Sequence, residues 1–268
     1  MDRHIEDYYR SSGNERPQGG FHKVIALHDA PDIGWEQVSS ITADLPKGWF
    51  EVSQLSSADR IDFISSFWFQ RLPFRPRLEK VLTKFFSQLD DIGIFLTQQA
   101  ADDPFGVQMV YSIEGDSGFF RAHPPASSET IANFKEAFPQ HILPSDFLAF
   151  LQVHDGFYKY MDTGILQTAQ IPRVYKMLQG LFADDDELTT KDGEAVNPNS
   201  LIPFYESFGM PCYQCFWGDW YPEDEMGNVY LSGVNRTVSS CAKRRAWAEN
   251  LAFPTFLDWL MFYLERIE

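Results

Sequence analysis

His154 and Asp155 stand side by side in the stretch ILPSDFLAFLQVHDGF, which runs from Ile142 to Phe157. An imidazole beside a carboxylate is the pairing from which general-base devices are built, because the carboxylate orients the ring and stabilises its charged form. A hydrolase needs a nucleophile as well, and no third polar group stands at a telling spacing. The spacing around the pair favours a structural role. Phe147, Phe150, Leu151 and His154 fall at i, i+3, i+4 and i+7 and share one helical face. Leu143 and Pro144 lead into that helix, with Pro144 and Ser145 at its start. Gly156 supplies the left-handed residue that closes a helix with little strain. This predicts His154 in the last turn, facing free carbonyls and the negative end of the helix dipole. It predicts Asp155 at the cap, bonded to local backbone.

The cysteines are the next chemical candidates. Cys212 and Cys215 sit in PCYQCFWG, which reads as a strand. Residues three apart in a strand point to opposite faces with Cα atoms roughly 10 Å apart. A disulfide needs them within about 7 Å. A zinc site needs two further ligands at fitting spacing, and none is nearby. Cys241 precedes AKRRAW, whose cations would lower a thiol pKa, yet no histidine is near it in sequence. Phosphate-loop, GxGxxG, HExxH and GxSxG patterns are absent. No cofactor and no metal are expected.

A third constellation suits binding rather than catalysis. In FWGDWYPEDEMGN, Phe216 to Asn228, the rings of Trp217, Trp220 and Tyr221 interleave with Asp219, Glu223, Asp224 and Glu225. Rigid rings supply contact area, and carboxylates select a basic partner. The competing reading has the tryptophans in the core, Trp217 above all, and the acids solvating a turn. Asp184, Asp185, Asp186 and Glu187 form a second acidic candidate. Neither run has the EF-hand spacing or its closing glutamate, which argues against calcium.

Net charge agrees. The 268 residues carry 22 Lys+Arg against 38 Asp+Glu, a balance of −16, which repels phosphate backbones and argues against nucleic acid. It attracts basic proteins, and it also serves plain solubility. Three cysteines are too few for a disulfide scaffold, so a reducing compartment is the simplest setting. The first twenty residues lack the apolar core of a signal peptide, and no run is apolar enough for a membrane span. The expectation is a cytoplasmic protein with no membrane partner.

The elements that must position these groups are legible in outline. Residues 1–20 read as a polar arm. Residues 21–122 read as an α+β region. In it FHKVIALHDAP is a strand, and Ser56 with Asp59 is a capping box ahead of Ile61, Ile64 and Trp68. A helix follows with Leu78, Val81, Leu82, Phe85 and Leu89 in one stripe. IGIFLTQQ and VQMVYSI then form a hairpin, and SGFFRA a third strand. HPPASS, His123 to Ser128, is a linker. Beyond it come helices at SSETIANFKEAF, at the opening stretch and at IPRVYKMLQGLF, with TGILQ a short strand before the last. Strands at LIPFYES, PCYQCFWG and NVYLSG follow. The closing segment FPTFLDWLMFYLERIE is a helix with Pro254 in its first turn and Phe253, Leu257, Leu260, Met261 and Leu264 buried.

The run ETIANFKEAFPQHILPSDFLAFLQVHDGF resembles the SUKH superfamily, also called Smi/Knr, whose pattern sets an apolar helix before LPxxFxxFLxxxxGG. The family's second glycine is Phe157 here. LIPFYES, YQCFWGDW and MGNVYLSG resemble its strands, and FPTFLDWLMFYLER its last helix. The resemblance covers about residues 127–268. It implies an α+β fold in that half, with a twisted, mainly antiparallel sheet and packed helices, and the N-terminal α+β region as an extension. It also implies a non-catalytic protein-binding module. The most concrete version is an immunity-type protein that neutralises a basic toxin or effector, and the alternative is an intracellular scaffold or regulator.

Overall fold

The computed structural model describes residues 1, 3–10, 17–115, 118–160, 162–182, 188–209, 211–241 and 250–265. The acidic run Asp184, Asp185, Asp186 and Glu187, and the cations of AKRRAW, lie outside the described residues. The protein is α+β, with helices and mostly antiparallel strands. The chain divides into one unit of Met1–Arg71 with Leu82–Pro124, and a second of Leu72–Val81 with Pro125–Glu268. Among the described residues no helix is long and apolar enough to cross a membrane.

In the first unit four antiparallel strands lie in chain order: β1 (Lys23–Ala26), β2 (Leu89–Gln98), β3 (Gly106–Ile113) and β4 (Phe119–Ala122). Val107, Met109, Tyr111 and Ile113 alternate as their period of two predicts, but Gln108, Val110 and Ser112 are buried as well. Both faces of β3 are therefore covered. Helix α1 (Arg3–Tyr9) comes from the segment read as a polar arm. It buries Ile5 and Tyr9, and the Tyr9 hydroxyl donates to Gln108 Oε1 at 2.6 Å. Tyr111 belongs to the alternate face, where its hydroxyl accepts the indole N–H of Trp68 at 3.0 Å. Short helices α2 (Trp35–Ile41) and α3 (Lys47–Ser53) precede α4 (Ser57–Arg71), which carries Trp68. The expected Ser56–Asp59 cap is formed: the Ser56 hydroxyl accepts the Asp59 N–H at 3.3 Å and donates to the Asp59 carboxylate at 2.6 Å.

Helix α5 (Pro76–Ser87) buries Leu78, Val81, Leu82 and Phe85. Leu89, assigned to the same stripe by spacing, instead opens β2, where a bulge between Leu89 and Asp91 breaks the register with β3. The helical period continues past the end of the helix because a buried strand end also wants a leucine.

The second unit begins its main run with α6 (Ser128–Glu136), capped by the Ser127 hydroxyl accepting from Thr130 N–H at 3.0 Å. Then come α7 (Ser145–Leu151), β5 (Phe157–Lys159), β6 (Gly164–Ile165) and α8 (Ile171–Leu181). The strands β7 (Thr189–Thr190), β8 (Leu201–Glu206), β9 (Cys212–Trp217), β10 (Asn228–Ser232), β11 (Thr237–Val238) and β12 (Ala252–Phe253) follow. Pairing runs β5-β6-β8-β9-β10-β11 antiparallel, with β7 parallel on β11 and β12 on β10.

The closing helix α9 (Phe256–Glu265) starts one residue beyond Thr255. Thr255, rather than Pro254, sets that start. Its hydroxyl donates to Asp258 Oδ2 at 2.8 Å and accepts the Asp258 N–H at 3.2 Å, which satisfies a donor the helix leaves open. Rings fill the space between helices and sheet. Phe147 lies 5.0 Å from both Phe216 and Phe256, and Phe204 stacks on Phe216 at 4.3 Å. At the β5–β6 turn the buried carboxylate of Asp162 accepts from the hydroxyls of Tyr205 (2.7 Å) and Tyr263 (3.1 Å) and from Phe208 N–H (3.0 Å).

Truncating Phe147 to alanine leaves a cavity among the rings of Phe134, Phe204, Phe216 and Phe256 and is expected to cost about 3–5 kcal/mol. Phe74→Ala, at a ring 76% exposed, is the control and should change stability by less than about 0.5 kcal/mol. Urea unfolding of both variants checks this, and equal effects would mean that the ring cluster is not a packed core.

Candidate functional site

The β9–β10 connection, residues 218–227, is a folded loop. Trp217 N–H donates to the Gly227 carbonyl at 2.9 Å, Trp220 N–H to Trp217 at 3.0 Å, and Gly227 N–H back to Trp220 at 2.9 Å. The Trp220 ring lies against Gly227, where an added Cβ would come within 2.3 Å of it. Only glycine allows that approach. Gly218 N–H ties the other end to Ser200 at 2.7 Å. Asn228, fully buried at the exit, donates to the Thr255 carbonyl at 2.9 Å and accepts from Gln214 at 2.8 Å.

This framework exposes some of the sequence-predicted residues and uses others. Asp219, Tyr221 (47% exposed), Glu223 and Asp224 face solvent, and Asp224 holds a positive φ of 60°. Trp217 and Trp220 are half-buried, and the Trp217 indole N–H is buried without a partner. Glu225 turns inward, accepting the N–H of Ser145 at 3.1 Å and the Ser145 hydroxyl. It thereby satisfies an open donor at the start of α7. Glu223 lies 3.9 Å from the Arg75 guanidinium. Arg75 also lies 3.5 Å from Asp258 and donates to Thr255 Oγ1 at 3.2 Å. Three loop or helix groups thus meet one cation.

Beneath this cluster sits Asp146, a residue the sequence did not single out. Its carboxylate is buried and accepts Phe147 N–H at 2.9 Å and Leu257 N–H at 3.0 Å, at the first turns of α7 and α9. Burial raises its pKa to about 6. The Leu257 bond and the Arg75 charge oppose that rise, and the Glu225 charge adds to it. Desolvation therefore outweighs two backbone donors and a cation.

The His154–Asp155 pair occupies a different place from the one its spacing predicts. Helix α7 ends at Leu151, and His154 follows it, with its N–H still donating to Phe150 at 2.9 Å. The ring is 2% exposed and stacks on Phe157 at 5.9 Å. The Asp155 carboxylate reaches past local backbone to Thr168, accepting its N–H at 2.7 Å and its hydroxyl at 2.8 Å. Burial holds the Asp155 pKa above the ordinary carboxylate value. Gly156, at φ 106°, turns the chain into β5 rather than closing the helix. Leu143 is buried, and Pro144 precedes α7 as its N-cap residue.

All three cysteines are free thiols. Cys215 is fully buried on β9, which pushes its pKa up. Burial and then Glu194 push Cys241 up to about 12, the opposite of an activated nucleophile. Among the described residues no group of three or more His, Cys, Asp or Glu side chains is placed to hold a metal ion.

The first unit contains a small polar cavity of about 120 Å³ that spacing gave no signal for. Ile5, Tyr9, Arg10, His28, Asp29 and Asp91 are among its lining. Its charges are largely paired. Asp91 Oδ1 accepts from Arg60 Nη2 at 2.6 Å, and Arg10 bonds Asp29. Burial lowers the His28 pKa despite the nearby Asp29.

Comparison of the chain with known protein families finds no match, and comparison with curated proteins finds none.

The raised pKa of Asp146 has a definite linkage consequence. Between the unfolded value and about 6 the folded chain holds a proton that the unfolded chain has released. This group's stabilising contribution is full below that window and is lost as pH rises through it, leaving a cost on the order of 3 kcal/mol. The stability of the native chain minus that of Asp146→Asn should therefore fall as pH rises from about 4 to about 7. Urea unfolding at several pH values measures this, and a constant difference would contradict it.

Proposed function

We propose that this protein is a non-catalytic binding module that recognises a basic protein through the acidic, ring-bearing loop 218–227. The observation that carries the reading is the loop's construction. Backbone hydrogen bonds and the Trp220–Gly227 contact hold it in one shape, while Asp219, Tyr221, Glu223 and Asp224 face solvent. A preorganised loop loses little conformational entropy on binding. The net charge of −16 adds long-range attraction for a basic partner. The packing of His154 at 2% exposure, and the engagement of both Asp155 oxygens by Thr168, weigh against a hydrolase.

The most concrete form of the reading is an immunity-type protein of the SUKH (Smi/Knr) kind, acting in the cytoplasm by masking the basic face of a toxin or effector. The run from Glu129 to Phe157 and the strands at LIPFYES, YQCFWGDW and MGNVYLSG support that form. An intracellular scaffold or regulator is the second form, and it uses the same loop.

Association with a short oligoarginine peptide, followed by surface-plasmon resonance, tests the shared claim. The on-rate should fall steeply between about 50 and 500 mM salt, as charge-steered encounters do. Replacing Asp219, Glu223 and Asp224 together with their amides should slow association about tenfold or more. Binding indifferent to salt and to these amides would sink the reading.

A further inference from the structure

The polar cavity of the first unit has a constructed wall, and that wall begins at the edge of β2. His22 N–H donates to the Gln98 carbonyl at 2.8 Å, and the alternation of a strand puts the N–H and C=O of Ile94 on the same edge. Strand β1 ends at Ala26, paired with Phe95, and does not reach them. His28, in the 3₁₀ turn Leu27–Asp29, supplies the missing partner, with Ile94 N–H donating to its Nδ1 at 3.3 Å. Gly93 makes room for the ring, since an added Cβ there would come within 2.7 Å of His28 Cε1. The Phe95 ring meets the imidazole edge-on at 4.9 Å. The His28 side chain is thereby fixed at 3% exposure.

Two buried polar atoms of this wall are left open. The Ile94 carbonyl also lies 3.4 Å from His28 Nδ1, but a buried N–H tolerates being unpaired less than a carbonyl does. Nδ1 therefore accepts, and the ring carries its proton on Nε2. Nε2 makes no hydrogen bond among the described residues, and Asp29 Oδ1 stands 3.9 Å from it. Asp91, 8% exposed, is the second case. Its Oδ1 holds Arg60 and Ile92 N–H, whereas Oδ2 makes no hydrogen bond among the described residues. The Met1 amine is 4.0 Å from that oxygen and only 3.3 Å from Asp90. Both His28 and Asp91 line the cavity, and both open atoms keep contact with its space. The charges around it do not cancel. Arg60 matches Asp91, Arg10 matches Asp29 and the Met1 amine matches Asp90, but Glu6 makes no ion pair among the described residues.

We propose that this cavity binds a small organic cation, a primary amine with a hydroxyl next to its ammonium group. The ammonium donates to Asp91 Oδ2 and balances Glu6, and the hydroxyl accepts from His28 Nε2–H. Ile5 and Phe95 face its carbons. A volume of about 120 Å³ has room for about four waters, and so for a ligand of about four non-hydrogen atoms. Waters would meet the two open atoms but would leave the charge. Among the described residues no three His, Cys, Asp or Glu side chains are placed to hold a metal ion, which makes the cation an organic one. Arg10 and Asp29, bonded to each other and each about half exposed, form the mouth, and a surface ion pair of this kind opens readily.

Ethanolamine, a molecule of that size, is the probe, and the full chain needs no protein partner for the test. At neutral pH it should move the ¹⁵N resonance of His28 Nε2, assigned by its loss in His28→Gln. The shift should saturate with a Kd of about 0.1–10 mM, because so small a ligand cannot bind much tighter than tens of micromolar. Ethylene glycol has the same shape without the charge, and phosphoethanolamine stands for a lipid headgroup. Each should bind about tenfold or more weakly than ethanolamine. Glu6→Gln should weaken ethanolamine about threefold or more, and Arg10→Gln, which leaves Asp29 without its internal cation, should tighten it by a similar factor. Circular dichroism and urea unfolding confirm that each variant is folded before it is compared. No saturable shift up to about 0.1 M ethanolamine would overturn the proposal and leave a cavity that holds water only. Equal binding of either control, an unchanged affinity in Glu6→Gln or a weaker one in Arg10→Gln would overturn it as well.

Discussion

The buried carboxylate of Asp146 is the constraint from which the geometry of the second unit's acidic face follows. It accepts backbone N–H groups at the starts of both α7 and α9, joining residues 111 positions apart in sequence. Those first turns carry unsatisfied donors and the positive ends of the helix dipoles, so an anion there is favourable in kind even where burial makes it costly in degree. With Asp146 spent on these donors, Ser145 is left for Glu225, and Thr255 for Asp258 and Arg75. The loop is thereby tied to two helix starts instead of hanging from its strands alone.

The two units solve the same problem differently. In the first, Asp91 is buried beside Arg60, with three donors on one oxygen, so its charge is matched by a close guanidinium. In the second, Asp146 has no cation at contact distance among the described residues and relies on backbone N–H donors, with Arg75 acting only through space. Removing one partner of a tight buried pair is strongly destabilising, which makes Asp91 a poor candidate for change during function.

The parts of the fold that could be read in advance were those governed by local rules. The Ser56–Asp59 capping box, the β2–β3 hairpin and the stripe of α5 depend on neighbours within a few residues. What escaped depends on distant partners. Nothing near Asp146 in sequence reveals that Leu257 will donate to it, and nothing near Arg75 reveals Glu223. Leu89 kept the helical period while belonging to a strand, since both environments bury leucine. Helix α7 stops before His154 because Asp155 finds its donors on Thr168 and the imidazole finds a ring face on Phe157. The acidic–aromatic run was visible as composition, but Trp220 and Glu225 became distinguishable from Tyr221 and Glu223 only once Gly227 and Ser145 were placed beside them.

Asp146 carries the account, so the most direct measurement is of that group alone. The carboxyl ¹³C shift of Asp146, followed by NMR across pH in the intact chain and identified by its loss in Asp146→Asn, reports its protonation without reference to any partner. The account predicts a midpoint near pH 6, with the Leu257 amide proton shifting in step. A midpoint near the ordinary aspartate value of about 3.9, or a Leu257 amide that does not follow it, would contradict the buried, two-helix carboxylate on which the loop's construction rests.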